Sequence, residues 1–198
     1  MGASEIRRVF VSADNPWQTL SSREVYKNKW LSVREDQVIR PDGQEGIYGV
    51  VELPYSVGIV ALDAEGRIAL VEQWRYTQSR VSVEIPVGSS QAGDADPLDA
   101  ARRELLEETG FVAADWLALG SIDNGIGATT DVAHQFLARN LSYQGAVNDP
   151  EESIAVRWAP VEEAADAVRT GKITESSSVV AILKTTEYLA GNDRWVPK

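Results

Sequence analysis

The stretch from Gly88 to Gly110 constrains this chain most. A glycine- and serine-rich approach, Gly88-Ser-Ser-Gln-Ala-Gly-Asp-Ala-Asp-Pro97, runs into Leu98-Asp-Ala-Ala-Arg-Arg-Glu-Leu-Leu-Glu-Glu-Thr-Gly110. The second half reads as a helix. Asp96 suits the N-cap and Pro97 the first helical position, where its missing N–H costs nothing. Asp99 is a shortened capping-box partner, and Gly110 supplies the left-handed stop. Leu98, Ala101, Leu105 and Leu106 form the expected apolar stripe. Glu104, Glu107 and Glu108 then stand at i, i+3 and i+4, so their carboxylates leave one face and repel. A hard divalent cation such as Mg2+ turns that repulsion into attraction, because it takes carboxylate oxygens. The bland alternative is a solvated acidic face with ordinary Asp99–Arg103 and Arg103–Glu107 ion pairs.

Composition removes several function classes. A net charge of −11 disfavours a general nucleic-acid binder, which needs a basic surface. An acidic protein that handles phosphates needs cations locally. There is no cysteine, hence no disulfide framework and no thiol catalysis. No apolar run approaches the ~20 residues of a membrane span, and no signal-peptide core opens the chain, so the expected location is cytoplasmic.

Residues 1–22 read as an irregular lead-in. Residues 23–53 read as a small β region, with strands at Val25–Lys27, Leu31–Ile39 and Gly46–Leu53 and a Pro41-Asp42-Gly43 turn. Residues 54–198 read as the main domain. Val57–Leu62 and Ile68–Gln73 suggest a hairpin across Asp63-Ala64-Glu65-Gly66. Further strands are expected at Val81–Ile85, Trp116–Ile122, Val132–Ala138 and Ile154–Trp158, with helices near 161–169 and 176–189. Strands before and after a central helix, with helices at the end, imply an α/β sandwich with a mixed sheet.

At the box residues the chain resembles the Nudix hydrolase family. That signature is Gly, five residues, Glu, seven residues, Arg-Glu, an aliphatic, any residue, Glu-Glu, any residue, Gly. Gly88, Arg103, Glu104, Leu105, Glu107, Glu108 and Gly110 match it. Asp94 stands where the first Glu belongs, and eight residues rather than seven separate it from Arg103, so the loop carries one extra residue. The resemblance implies an α/β/α sandwich, and the first ~50 residues look like the N-terminal strand region of the ADP-ribose pyrophosphatase branch, which helps form a homodimer.

The resemblance also implies a reaction: metal-dependent cleavage of the pyrophosphate of a nucleoside diphosphate sugar into a nucleoside monophosphate and a sugar phosphate. Glu104 and Glu108, then Glu107, are the implied Mg2+ ligands (Mn2+ is the alternative ion), and Val87 offers its backbone carbonyl. Arg103 orients the glutamates by charge-assisted bonds. Glu84 is an accessory acid near metal or substrate, or else a solvent-facing strand residue. The general base is Glu152, with Glu151 as the alternative, in the late acidic loop Asn148-Asp149-Pro150-Glu151-Glu152-Ser153. Arg75 and Arg80 are candidates for phosphate, and Trp30, Trp74 and Tyr76 for stacking on a base, against an expectation that most tryptophans are core. His134, inside an apolar strand, reads as structural. ADP-ribose leads the substrates, although Ile126 occupies a position where that branch often carries proline. GDP-mannose, a dinucleotide, and a non-catalytic nucleotide-binding regulator are the alternatives.

Overall fold

The structure is a computed structural model and describes residues 15–145 and 155–192. Those residues form ten strands and three α-helices, arranged as two compact units that divide between Glu52 and Leu53.

The N-terminal unit is an antiparallel sheet of β1 (Gln18–Lys27), β2 (Ser32–Ile39) and β3 (Glu45–Glu52), with β2 central. The first strand begins at Gln18, inside the stretch expected to be irregular; its polar, bulged pairing with β2 hides it from a search for alternating apolar residues. Every residue of β1 is exposed.

The second unit is built around β4 (Ser56–Ala61). Its neighbours are β7 (Val87–Ser89), antiparallel, and β9 (Val132–Tyr143), parallel; β8 (Phe111–Asp123) closes that sheet beyond β9. Alternate residues of β4 serve two cores. Val57, Ile59 and Ala61 pack with Ala100, Ala101 and Leu105 of α1 (Pro97–Thr109). Val60 packs with Ala181 and Ile182 of α3 (Ser176–Leu189). A strand buried on both faces reads as a continuous apolar run, and helices on either side make the α/β/α sandwich.

A second sheet has the order β10 (Ala155–Pro160), β5 (Arg67–Arg75), β6 (Arg80–Glu84). The expected hairpin between 57–62 and 68–73 is therefore a correction. The turn at Asp63–Gly66 exists, with Gly66 N–H on Asp63 O at 3.3 Å. Beyond one isolated bridge, Leu62 to Ile68, the two strands separate into different sheets. Both carry apolar residues without alternation, so each needs cover on two faces, which a simple hairpin does not give. The remaining helix, α2 (Val161–Arg169), buries Val161, Ala164 and Ala165.

The tryptophans are also a correction. Among the described residues Trp17, Trp30 and Trp74 are exposed and Trp116 and Trp158 half-buried. The core around β4 is filled by Val, Ile, Leu and Ala instead. No helix among the described residues is long and apolar enough to cross a membrane.

Candidate active site

Helix α1 forms for the reasons its sequence supplies. Asp96 accepts from the N–H groups of Leu98 (2.8 Å) and Asp99 (2.9 Å), and Pro97 follows it. Gly110, at φ 74°, closes the last turn on Leu106 O at 2.9 Å. The buried face contains Ala101 and Leu105 as expected, but also Glu104 and Glu108. An acidic pair under cover is not a solvated face, although the Arg103–Glu107 ion pair of the bland reading does form, at 2.8 Å.

Glu104 lies against Gly88. A Cβ added at Gly88 would stand 1.9 Å from Glu104 Cδ and 2.1 Å from its Oε1. Only glycine leaves room for the carboxylate, which is why the motif opens on that residue. Gly88 is placed by β7, where it pairs with Val57 while Val87 pairs with Gly58. The cation candidates Glu104 and Val87 are thus brought to one turn.

Arg103 ties the approach loop to the helix. Its Nη1 donates to Glu104 Oε1 (2.7 Å) and Glu107 Oε2 (2.8 Å). Its Nη2 donates to Ser89 O (2.9 Å) and Asp94 Oδ2 (3.0 Å), and its Nε to Asp94 Oδ1 (3.1 Å). Burial opposes the guanidinium charge, and the bonds to Asp94, Glu104 and Glu107 outweigh it, raising its pKa. Asp94 is held below the usual carboxylate range by Arg103, against the cost of burial. The longer loop is absorbed locally, since Asp94 N–H reaches Gln91 O (3.1 Å) and Gln91 N–H reaches Asp94 Oδ2 (2.7 Å). The shorter acid therefore still joins loop to helix. Asp99 pairs with Arg102 at 3.1 Å, where a pair with Arg103 was the bland expectation.

Glu84 is 1% exposed, which removes the solvent-facing reading. Arg75 grips it through one edge of its guanidinium, Nε on Oε1 at 2.9 Å and Nη2 on Oε2. That bond raises the Arg75 pKa against burial, and the charges of Glu108 and Glu175 add to it. Arg75 is thus engaged with a carboxylate where a phosphate was expected. Arg80 donates to Thr174 Oγ1 (2.9 Å) and Gln78 Oε1 (3.2 Å). Trp74 and Tyr76 are exposed at the end of β5 and in the turn after it. Trp30 is exposed in the N-terminal unit, with Lys29 Nζ 4.3 Å from its ring centroid. His134 stacks edge-on against Tyr55 at 5.5 Å, in keeping with a structural role. Glu151 and Glu152 lie outside the described residues.

Arg75 and Arg103 bring two positive charges among five carboxylates, those of Glu84, Asp94, Glu104, Glu107 and Glu108. An all-oxygen set with a surplus of carboxylates fits a hard divalent cation. Among the described residues no three acidic or histidine side chains converge as a finished cage. Glu104 and Glu107 share the Arg103 Nη1 donor. A cleft of about 500 Å³ lined by Asp63, Arg67, Phe111, Arg139 and Trp158 lies at the other end of β4 and shares no residue with this cluster.

The family comparisons agree with this geometry. A model described as the NUDIX domain matches residues 52–177, and one described as the nucleoside diphosphate sugar hydrolase N-terminal domain matches residues 17–51. The chain belongs to the Nudix family. It is a Nudix pyrophosphohydrolase, of a family that generally depends on divalent metal. An ADP-ribose pyrophosphatase of Mycobacterium tuberculosis (strain ATCC 25618 / H37Rv) is 32% identical over 90% of this chain and 87% of its own. A methanol dehydrogenase activator of Bacillus methanolicus is 29% identical over 83% of this chain and 90% of its own. The crystal structure of an ADP compounds hydrolase shares the fold, with a TM-score of 0.80 at 20% identity over 93% of this chain and all of that one.

Two contributors escaped the sequence reading. Glu175 caps α3, and Ser178 bonds the backbone of Ile85. The run Glu175-Ser-Ser-Ser178 before an apolar helix was the available signal.

Proposed function

We propose that this Nudix hydrolase cleaves ADP-ribose or a close nucleoside diphosphate sugar with Mg2+, as a cytoplasmic homodimer. The observation that carries the reading is the Glu104 carboxylate seated on Gly88 beside the buried Glu108. Glu104 and Glu108 would hold the cation, with Glu107 and the Val87 carbonyl completing its ligands. Once bound, the metal supplies charge neutralisation at the pyrophosphate and a more acidic attacking water. Arg103 keeps Glu104 and Glu107 aimed. Arg75 orients Glu84 and keeps its Nη1 edge for a phosphate oxygen. Water adds to one phosphorus, the bridging P–O bond breaks, and the bridging oxygen leaves on the other phosphate. Glu152, or Glu151, takes the water's proton in this reading, on its place in the sequence. Arg80, Trp74, Tyr76 and Trp30 are the proposed substrate contacts. The ADP-ribose assignment draws on the likeness to the ADP-ribose pyrophosphatase of Mycobacterium tuberculosis. A sequence without cysteine has no need of an oxidising compartment.

The test is turnover with Mg2+ or Mn2+ over ADP-ribose, GDP-mannose, UDP-glucose, NADH and a diadenosine polyphosphate. Release of a nucleoside monophosphate from ADP-ribose above the rest is expected. A second reading, nucleotide-dependent regulation without turnover, draws on the likeness to a methanol dehydrogenase activator, a protein named for acting on another enzyme. Nucleotide binding by calorimetry with no turnover on the panel would select it.

A further inference from the structure

The turn that carries Val87 and Gly88 is held from two sides. On one side is the Glu104 carboxylate. On the other is the first turn of α3, admitted by Gly58, the register partner of Val87. A Cβ added at Gly58 would stand 2.9 Å from Ser177 Oγ and 3.3 Å from Ile85 Cδ1. Next to Ser177 in the chain, Ser178, fully buried, accepts the Ile85 N–H at Oγ (3.0 Å) and donates to Glu175 Oε2 (2.7 Å). Glu175 also accepts from the N–H groups of Ser177 (2.8 Å) and Ser178 (2.7 Å). Those last two bonds suffice to cap the helix. The bond to Ile85 does not belong to capping. It fixes the Glu84–Ile85 peptide, and Pro86 O is in turn held by Ile59 N–H at 2.9 Å. The charge of Glu175 also acts on Arg75, the partner of Glu84. The first turn of α3 therefore bears on both the backbone and the counter-ion of Glu84.

We infer that Ser178, backed by Glu175, is a positioning residue of the active site: it sets the Glu84–Gly88 segment so that the Val87 carbonyl and the Glu84 carboxylate face the cation held by Glu104. The inference rests on the reading of Glu104 and Glu108 as cation ligands. Partners that orient metal ligands from behind typically control affinity by about 10- to 100-fold.

Mn2+ binding to the substrate-free protein, measured by calorimetry, tests it. Ser178→Ala leaves both backbone caps on Glu175 and removes the link to Ile85. Affinity for Mn2+ is expected to fall about tenfold, with kcat lowered at saturating substrate. Thr185→Ala, equally buried on the same helix, controls for lost packing and should bind Mn2+ like the parent. Glu175→Gln keeps an acceptor for the amides while loosening the Ser178 hydroxyl, and stands in if Ser178→Ala does not fold; a smaller loss of affinity is expected. Parental Mn2+ affinity in Ser178→Ala and Glu175→Gln, whatever their melting temperatures, overturns the inference and leaves Ser178 a helix cap. A parent that binds no Mn2+ overturns the ligand reading and this inference with it.

Discussion

A single methyl group at Gly88 would occupy the space of the Glu104 carboxylate, its Cβ 1.9 Å from Cδ. Glu104 cannot retreat easily, because Arg103 holds it at 2.7 Å. Gly88→Ala should therefore cost on the order of 1–3 kcal/mol by overpacking and abolish most turnover, as urea unfolding and product release would report. Glu108→Gln keeps the shape of the side chain and removes its charge. Circular dichroism should be unchanged, while turnover should fall on the order of 10²- to 10³-fold, as when one stabilising group is lost from a charged transition state. Near-parental activity would remove Glu108 from the cation site. Gly88 was legible as the opening of the motif, and Glu108 from the helical period that sets it four residues after Glu104. The burial of Glu84 was not, since its partner Arg75 lies across the β5–β6 turn and no local pattern distinguishes a paired strand carboxylate from a solvated one.

At the scale of elements, the junction of approach loop and α1 carries the least expected chemistry. Asp94 receives two bonds from Arg103 and sits below the ordinary carboxylate range, with the Arg103 bond as the main cause. A carboxyl depressed on folding contributes stability above its unfolded value of about 3.9, and that contribution disappears as pH falls through the folded value. Asp94→Asn should be less stable than the parent at neutral pH, and the gap should close below about pH 4. Urea midpoints taken down to about pH 3 decide it; a gap independent of pH would show that charge is not what holds the loop. The cap at the other end of that loop behaves differently. Asp96→Ala should cost about 1 kcal/mol and leave kcat intact, because Asp96 bonds only helix amides. The helix limits were readable from caps and glycines. The pairing of β4 was not, since two neighbouring apolar runs joined by a turn read alike whether they form a hairpin or cross between sheets.

For the molecule as a whole, the N-terminal sheet poses the problem of cover. Three strands are few for an independent sheet, yet β1 has no buried residue, and Leu20, Tyr26, Trp30 and Ile47 are 52%, 56%, 64% and 65% exposed. Apolar side chains clustered on so small a sheet mark an interaction surface, and a long exposed edge strand invites pairing. The proposed occupant is a second copy of the chain. Light scattering at micromolar concentration should give twice the 21.6 kDa of one chain, and Tyr26→Lys with Ile47→Lys should shift the mass toward the monomer. Salt separates the forces involved. Each chain carries a net charge of −11, so two copies repel. Screening weakens that repulsion and leaves apolar burial in place. The dimer should therefore tighten as salt is raised from low ionic strength to about 0.5 M, where the Debye length is well under 10 Å. Loosening over that range would assign the interface to ion pairs, and a parent that stays monomeric throughout would refute the dimer.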